Sequence, residues 1–202
     1  QLQEEGVLSL DDPLSKWLPD IAARLPYGDQ MTLRQLAGHT AGTGTYEPTL
    51  VSAAVAENDQ VKLAQAITPE ALVEYVIANG EPSFAPGKGW KYSNTNYILL
   101  GLAIEAAAGK PLDDLYQERI FGPLGMANTS YMQGSPKPGE IADGYTQLAD
   151  GEMAEMTNWN ASQAGAAGAI VSTVEDMARY TEALVGGELF QKPESLAQMF
   201  DF

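Results

Sequence analysis

Apolar residues recur at helical spacing in five segments of the chain, each bounded by residues that start or stop helices. The clearest segment begins at Thr68-Pro69-Glu70, which places a capping hydroxyl, a first-turn proline and an acid in sequence, and it closes at Asn79-Gly80. A second begins at Thr32, where the Thr-x-x-Gln spacing to Gln35 predicts a capping box. The other three are predicted to run from Asn94 or Thr95 to Gly109, from Pro111 to Gly122, and from the Ser172/Glu175 capping-box spacing to Gly186.

The remaining segments lack this periodicity. Three prolines break residues 7–28, which predicts short turns packed against a core, and residues 49–67 are only weakly helical. Residues 127–169 are rich in glycine, proline, threonine and methionine, which predicts short strands or a long loop, and residues 193–202 resemble the start of a last helix. We therefore expect a mainly α subdomain over residues 1–202, with one loop-rich region of short strands.

Both ends of the chain read as cuts through longer elements. Residues 1–5 look like the remnant of a charged helix without a methionine or an export signal, and Phe202 falls inside the last predicted helix. We expect this chain to be one truncated piece of a longer protein.

The composition argues against several classes of partner and several kinds of catalytic or metal site. A net charge of −16 repels phosphate groups, which argues against nucleic acid and anionic membranes as partners, and no apolar run reaches membrane-spanning length. The absence of cysteine removes disulfides, thiolate catalysis and cysteine-based zinc sites, and a single histidine, His39, cannot form a histidine-rich metal cluster. We predict no metal and no cofactor.

The most reactive stretch is Tyr92-Ser93-Asn94, directly before the apolar helix that continues through Ile98. Positive charge from Lys88 and Lys91 would favour the phenolate form of Tyr92, and a phenolate can accept a proton from a serine hydroxyl. A carboxamide can hydrogen-bond a substrate amide as donor and as acceptor. The structural alternative is that Tyr92 packs and that Ser93 and Asn94 cap the helix. Local chemistry leaves both interpretations open.

The order of motifs resembles the penicillin-recognising serine hydrolases, the group of class C β-lactamases, D-Ala-D-Ala carboxypeptidases and related esterases. The likeness covers nearly the whole chain, and the combination is more specific than any single motif. The matching segments are residues 6–13, Met31-Thr32-Leu33-Arg34-Gln35-Leu36-Ala37-Gly38-His39-Thr40-Ala41-Gly42, Phe84-Ala85-Pro86-Gly87, Tyr92-Ser93-Asn94, Pro123-Leu124-Gly125-Met126 and residues 164–173.

This resemblance implies an acyl-enzyme mechanism on an amide or ester: a D-Ala-D-Ala peptide, a β-lactam or a small ester. By the same resemblance, Tyr92 matches the tyrosine that shuttles the proton, and Asn94 matches the asparagine that holds the acyl-amide. Ser93 matches a structural position, Trp159 falls near the substrate cleft, and His39 lies in a turn that is normally structural. The family also implies a bacterial protein located outside the cytoplasm.

The chain departs from the family pattern in its other two motifs. No serine is followed by lysine three residues later, and there is no Lys-Thr-Gly or His-x-Gly motif. In the family these motifs lie before Gln1 and after Phe202, on a β-lactamase/transpeptidase-like α+β fold. We therefore expect a helical subdomain without its flanking antiparallel sheet, inactive as given and prone to self-association through the sheet-facing surface. The alternative is a non-catalytic binding or structural relative.

Overall fold

The computed structural model of the chain describes residues 1–137, 139–148 and 150–200, with the backbone alone for residues 48–50. Helices dominate these residues, as the apolar pattern predicted. They are α1 (Leu14–Trp17), α2 (Pro19–Ala22), α3 (Leu33–Ala37), α4 (Glu47–Ala56), α5 (Gln60–Leu63), α6 (Pro69–Asn79), α7 (Asn94–Ala108), α8 (Leu112–Tyr116), α9 (Val174–Gly186) and α10 (Pro193–Gln198). A π turn, Gln117–Phe121, extends α8, and 3₁₀ turns cover Gly28–Gln30, Ala161–Gln163 and Gly165–Ala167.

The helix α7 lies at the centre of the fold. Its apolar residues occupy most of its circumference, so α1, α3 and α6 pack around it together with the 3₁₀ turn Gly165–Ala167. Burying an aliphatic side chain contributes about 1.5–3 kcal/mol relative to leaving it exposed. Burial around α7 therefore supplies much of the stability of the fold. The fully or almost fully buried members of this core include Leu14, Leu33, Leu36, Leu72, Val73, Val76, Ile98 and Leu99.

Two of the predicted helix starts are confirmed. Thr32 Oγ1 accepts the backbone N–H of Gln35 at 3.3 Å, and the Gln35 side chain accepts the N–H of Thr32 at 3.0 Å, which completes the capping box. Thr68 Oγ1 accepts the N–H of Ala71 at 3.2 Å in the same way.

The start of α9 differs from the prediction by one residue. Thr173, not Ser172, is the N-cap, and its hydroxyl oxygen accepts the N–H of Asp176. The hydroxyl of Ser172 instead pairs with that of Thr129 at 2.7 Å. The side chain that was predicted to cap α9 therefore bonds to Thr129, a residue that is distant in the sequence.

The start of α7 also differs from the prediction. Ser93 is the N-cap residue, and neither its side chain nor that of Asn94 or Thr95 caps the helix. The hydroxyl of Ser93 donates to the carbonyl oxygen of Gly44 at 2.9 Å, in a separate turn. The reading of this triplet as a local helix cap is wrong for the same reason as at α9.

The irregular third of the chain contains the predicted short strands. The strands β1 (Ser130–Tyr131) and β4 (Ile170–Val171) pair antiparallel, with Tyr131 opposite Ile170. The strands β2 (Tyr145–Gln147) and β3 (Met153–Glu155) form a second antiparallel pair. Within residues 1–137, 139–148 and 150–200, both sheets have two strands, which confirms a mainly α architecture with a short-strand region.

Candidate active site

A ladder of backbone hydrogen bonds holds the segment before Tyr92 against the glycine-rich turn that begins at His39. The N–H groups of Ser83 and Gly87 donate to the carbonyls of Gly42 and Thr40, each at 2.8 Å, and the N–H of Lys91 donates to the carbonyl of His39 at 3.0 Å. These three bonds join the two loops, and the last of them is made by Lys91, the residue before Tyr92. The position of the phenol is therefore fixed by tertiary contacts as well as by the start of α7 two residues later.

Gly42 allows the two loops to approach this closely. Its φ of 76° lies in the left-handed region, and a Cβ atom at this position would lie 2.0 Å from the carbonyl oxygen of Phe84. A side chain here would collide with backbone that has no room to move.

Tyr92 and Asn94 interact directly. The Tyr92 hydroxyl donates to Asn94 Oδ1 at 2.7 Å, and the Tyr92 side chain is 55% exposed. In this orientation the Asn94 Nδ2 group has no hydrogen-bond partner among the described residues. The pair thus presents a phenol oxygen and an amide N–H donor to solvent, side by side at the N-terminus of α7.

Ser93 lies between these two residues but points the other way. It is 1% exposed, and its Oγ donates to Gly44 O and lies 3.3 Å from Thr43 Oγ1. Thr43 also forms a short hydrogen bond to Asn96 Oδ1. A buried hydroxyl–amide network therefore lies directly beneath the Tyr92–Asn94 pair.

His39 completes this network as an acceptor. Its Nδ1 accepts the backbone N–H of Ser93 at 3.3 Å and lies 3.2 Å from Asn96 Nδ2. Since the Ser93 N–H can only donate, Nδ1 carries no proton in this arrangement, and a neutral ring carries its proton on Nε2. Burial lowers the pKa of His39 below its usual value, which favours the same neutral state.

Three aromatic rings surround His39. The rings of Tyr92 and Tyr97 lie 4.5 and 5.3 Å from the His39 ring, centroid to centroid, and Trp90 meets it edge-on at 6.2 Å. The histidine thus supports the Tyr92 ring from one side. By contrast, Lys88 and Lys91, the two lysines that we expected to favour the phenolate form of Tyr92, are both exposed. Among the described residues, no hydrogen bond joins either of them to the Tyr92 phenol.

Trp159 lies on a different loop and contacts a separate network. Its Nε1 donates to Gln163 Oε1 at 3.0 Å, and the buried Gln163 amide donates in turn to three carbonyls of residues 62–65. No hydrogen bond or ring contact joins Trp159 to Tyr92 or Asn94 in the part of the chain that is described.

Tyr46 lies between these two groups. Its phenol donates to the Gln163 carbonyl at 2.8 Å. Burial raises the pKa of Tyr46 strongly, with smaller contributions from Glu47, Tyr92 and Tyr131. Thr43, Tyr46 and Asn96 could not be identified from the sequence, because an isolated threonine, tyrosine or helical asparagine has no distinctive spacing.

No group of three or more histidine, cysteine, aspartate or glutamate side chains among the described residues is arranged to hold a metal ion. No helix in the described ranges combines the length and the apolar character that a membrane span requires.

Comparison with known proteins gives matches over the full chain. A family model described as "Beta-lactamase" matches residues 1–202. The putative penicillin-binding protein PbpX of Bacillus subtilis is 29% identical over 99% of this chain and 46% of its own length. The D-alanyl-D-alanine-carboxypeptidase/endopeptidase AmpH of Escherichia coli is 31% identical over 98% of this chain and 48% of its own length.

Among solved structures, a D-stereospecific amidohydrolase from Streptomyces sp. superimposes with a TM-score of 0.90 at 33% sequence identity. The match covers all of this chain and 60% of the amidohydrolase. The chain therefore spans about half the length of the curated relatives it matches and has the fold of that region.

Proposed function

Because the chain belongs to the beta-lactamase family, we propose that it supplies one wall of the active site of a serine hydrolase that works through an acyl-enzyme. The family points to a serine hydrolase acting on amides, esters or β-lactams. The observation that carries the proposal is the Tyr92–Asn94 pair, with an exposed phenol and an unpartnered amide donor fixed at the start of α7.

In the proposed reaction, Tyr92 moves the proton. The phenol that donates to Asn94 carries its proton, so the step begins once that proton has passed to solvent and Tyr92 is a phenolate. A serine outside these 202 residues then transfers its hydroxyl proton to the phenolate oxygen, and its Oγ bonds to the substrate carbonyl carbon as the C=O electron pair moves to the carbonyl oxygen. When the tetrahedral intermediate collapses, the C–N or C–O bond breaks and the proton passes to the leaving group. Water then repeats the sequence on the acyl-enzyme, with Tyr92 as base again.

Asn94 is assigned to bind the acyl-amide of the substrate. Since its Oδ1 accepts from Tyr92, its Nδ2 is oriented to donate to a substrate carbonyl. The same hydrogen bond makes Asn94 a positioning partner for the phenol. We assign Trp159 to the wall of the substrate cleft, and Ser93 to the buried support beneath the pair.

We propose an amide with a D-configured residue as the preferred substrate class, with β-lactams and small esters as further candidates. Two relatives whose names specify D-stereochemistry, AmpH and the Streptomyces amidohydrolase, support this choice. PbpX is named as a putative penicillin-binding protein and AmpH as a D-alanyl-D-alanine-carboxypeptidase/endopeptidase, and both come from bacteria. On this basis we also propose that the protein acts outside the cytoplasm.

The 202 residues contain no Ser-x-x-Lys motif and no Lys-Thr-Gly motif, so we propose that this chain alone forms no acyl-enzyme. The test is incubation with a penicillin followed by intact mass spectrometry, on this chain and on the longer protein that contains it. We expect a covalent adduct on the longer protein only. An adduct on the 202-residue chain contradicts the assignment of the nucleophile, and the lack of an upstream Ser-x-x-Lys in the longer protein favours the alternative, a non-catalytic relative.

We further propose that, in the longer protein, a flanking antiparallel sheet covers part of the surface of this chain, including the exposed side of α9. The chain alone self-associates through that surface. Apolar side chains on α9 support this, since Val174 and Val185 are 85% and 68% exposed. Light scattering on the isolated chain is the test, and a monomer at all concentrations contradicts the proposal.

A further inference from the structure

A cavity of about 150 Å³ lies among α6, α7, α8 and β1, and neither Tyr92 nor Asn94 lines it. Apolar side chains form much of its wall, among them Ile98 and Leu102 of α7 and Leu112 of α8, all buried. A cavity of about this volume is large enough for a ring the size of benzene. The cavity is therefore big enough for a small organic molecule, and it is separate from the site proposed above.

The wall of the cavity also carries a tyrosine hydroxyl without a hydrogen-bond partner among the described residues. Tyr131 of β1 lines it, is 9% exposed, and its ring packs on that of Tyr116 with centroids 5.6 Å apart. The hydroxyl lies at the cavity wall, because a Cβ atom at Gly165, another lining residue, would be 3.8 Å from it. It forms no hydrogen bond to any residue in the described ranges, so its lone pairs and its proton are available to a molecule in the cavity.

Carboxylates are the charged groups of the cavity. Glu105 of α7 is half-buried, and its Oε1 accepts the N–H of Leu112 at 2.7 Å, while Oε2 has no hydrogen-bond partner among the described residues. Glu70, exposed at the start of α6, forms part of the rim. No lysine or arginine of the described chain lines the cavity.

Carboxylates also influence the ionisation of the Tyr131 hydroxyl. Burial, together with the charges of Tyr116, Glu105 and Asp113, raises the pKa of Tyr131 to about 12. The hydroxyl therefore keeps its proton at neutral pH, and Glu105 and Asp113 are the carboxylates that contribute to the shift. Both features favour a ligand that carries a positive charge and donates hydrogen bonds.

We propose that this cavity binds a small organic ammonium ion, with an apolar body of about six to eight non-hydrogen atoms. The apolar body packs against Ile98, Leu102 and Leu112. The ammonium donates to Glu105 Oε2 and to the Tyr131 oxygen, and Glu70 at the rim attracts it to the opening. This site is independent of the proposed acyl transfer, so its test and that of the hydrolase proposal stand apart.

Isothermal titration calorimetry with benzylamine tests the proposal directly. Benzyl alcohol and phenylacetate are the matched probes, since they keep the ring and replace the positive charge with no charge or a negative one. We expect saturable binding of benzylamine, at least about tenfold tighter than that of either probe. Equal affinity for benzyl alcohol, or no saturable heat from benzylamine up to about 10 mM, overturns the proposal.

Two variants locate the binding. Glu105→Gln removes the charge and keeps an oxygen that can accept the Leu112 N–H, and Tyr131→Phe removes the hydroxyl and keeps the ring. We expect benzylamine affinity to fall about tenfold in the first and about threefold or more in the second. Glu182→Gln, which removes one exposed acid of α9, is the charge-matched control and should leave the affinity unchanged. Binding that Glu105→Gln and Tyr131→Phe both leave intact, in proteins whose unfolding temperature is also unchanged, overturns the assignment to this cavity.

Discussion

The phenol of Tyr92 donates a hydrogen bond to the carboxamide oxygen of Asn94, two residues later, at 2.7 Å. This bond links the two residues to which the family resemblance assigns proton transfer and substrate binding. It also fixes the amide so that its N–H₂ group, and not its oxygen, is available to a ligand.

Replacing Tyr92 with phenylalanine should slow acylation of the longer protein by at least about 100-fold, because the base that we propose accepts the serine proton is lost. The measurement is the rate of acylation by a penicillin, together with the unfolding temperature. Tyr97→Phe is the matched control, since this phenol also packs against His39 but bonds to the carbonyl of Ala37 instead of Asn94. An acylation rate unchanged by Tyr92→Phe would remove this residue from the mechanism.

Replacing Thr43 with valine should lower the free energy of unfolding by about 1–3 kcal/mol, because the buried Asn96 Oδ1 loses its hydroxyl donor while the shape of the side chain is kept. Chemical denaturation measures this change. Thr40→Val in the same turn is the control, since its hydroxyl only reaches the Gln35 carbonyl at 3.5 Å, and we expect a change within about 0.5 kcal/mol. Equal losses in the two variants would argue against a special role for the buried network.

Replacing Gly42 with alanine should destabilise the fold by at least about 2–3 kcal/mol, since the new Cβ atom meets the Phe84 carbonyl at 2.0 Å and the residue has a positive φ. The same denaturation experiment measures the loss. Gly38→Ala is the control, because its φ is −86° and the nearest atom to the new Cβ would be at 3.4 Å. If both alanine variants unfold at the same denaturant concentration, the close approach of the two loops does not limit stability.

Stability should fall as the pH drops below the usual pKa of histidine, about 6.5, because burial lowers the pKa of His39 in the folded state. In this window the unfolded chain binds the proton more readily than the folded one. The contribution of His39 is therefore complete above the unfolded pKa, and it is lost as the pH falls through the folded pKa. Protonation of Nδ1 would also break the bond from the Ser93 N–H.

Thermal unfolding at several pH values between about 8 and 5 measures this effect. His39→Asn is the comparison, because asparagine tolerates the φ of 57° at this position and does not titrate, and His39 is the one histidine of the sequence. We expect a flatter pH dependence in the variant. Parallel curves for the two proteins would assign the pH dependence to other groups.

Several elements could be predicted from the sequence because their causes are local. The capping boxes and prolines of α3 and α6 act within one helical turn, and the apolar spacing of α7 identifies its buried faces. The family could also be recognised from the sequence, because its motifs occur in a fixed order along the chain, and Tyr92 and Asn94 are part of that order.

Tertiary structure alone decided how the residues around that pair are used. Ser93 and Ser172 are serines at positions where a helix N-cap was predicted, yet each bonds to a partner that is distant in the sequence. The reason is that a hydroxyl is stabilised by whichever acceptor the fold brings within reach. Likewise, the contact of His39 Nδ1 with Ser93 spans 54 positions of the sequence and depends on two loops meeting at Gly42. The sequence determined which groups the site contains, and the packing of distant loops determined which of them face solvent and which lie beneath.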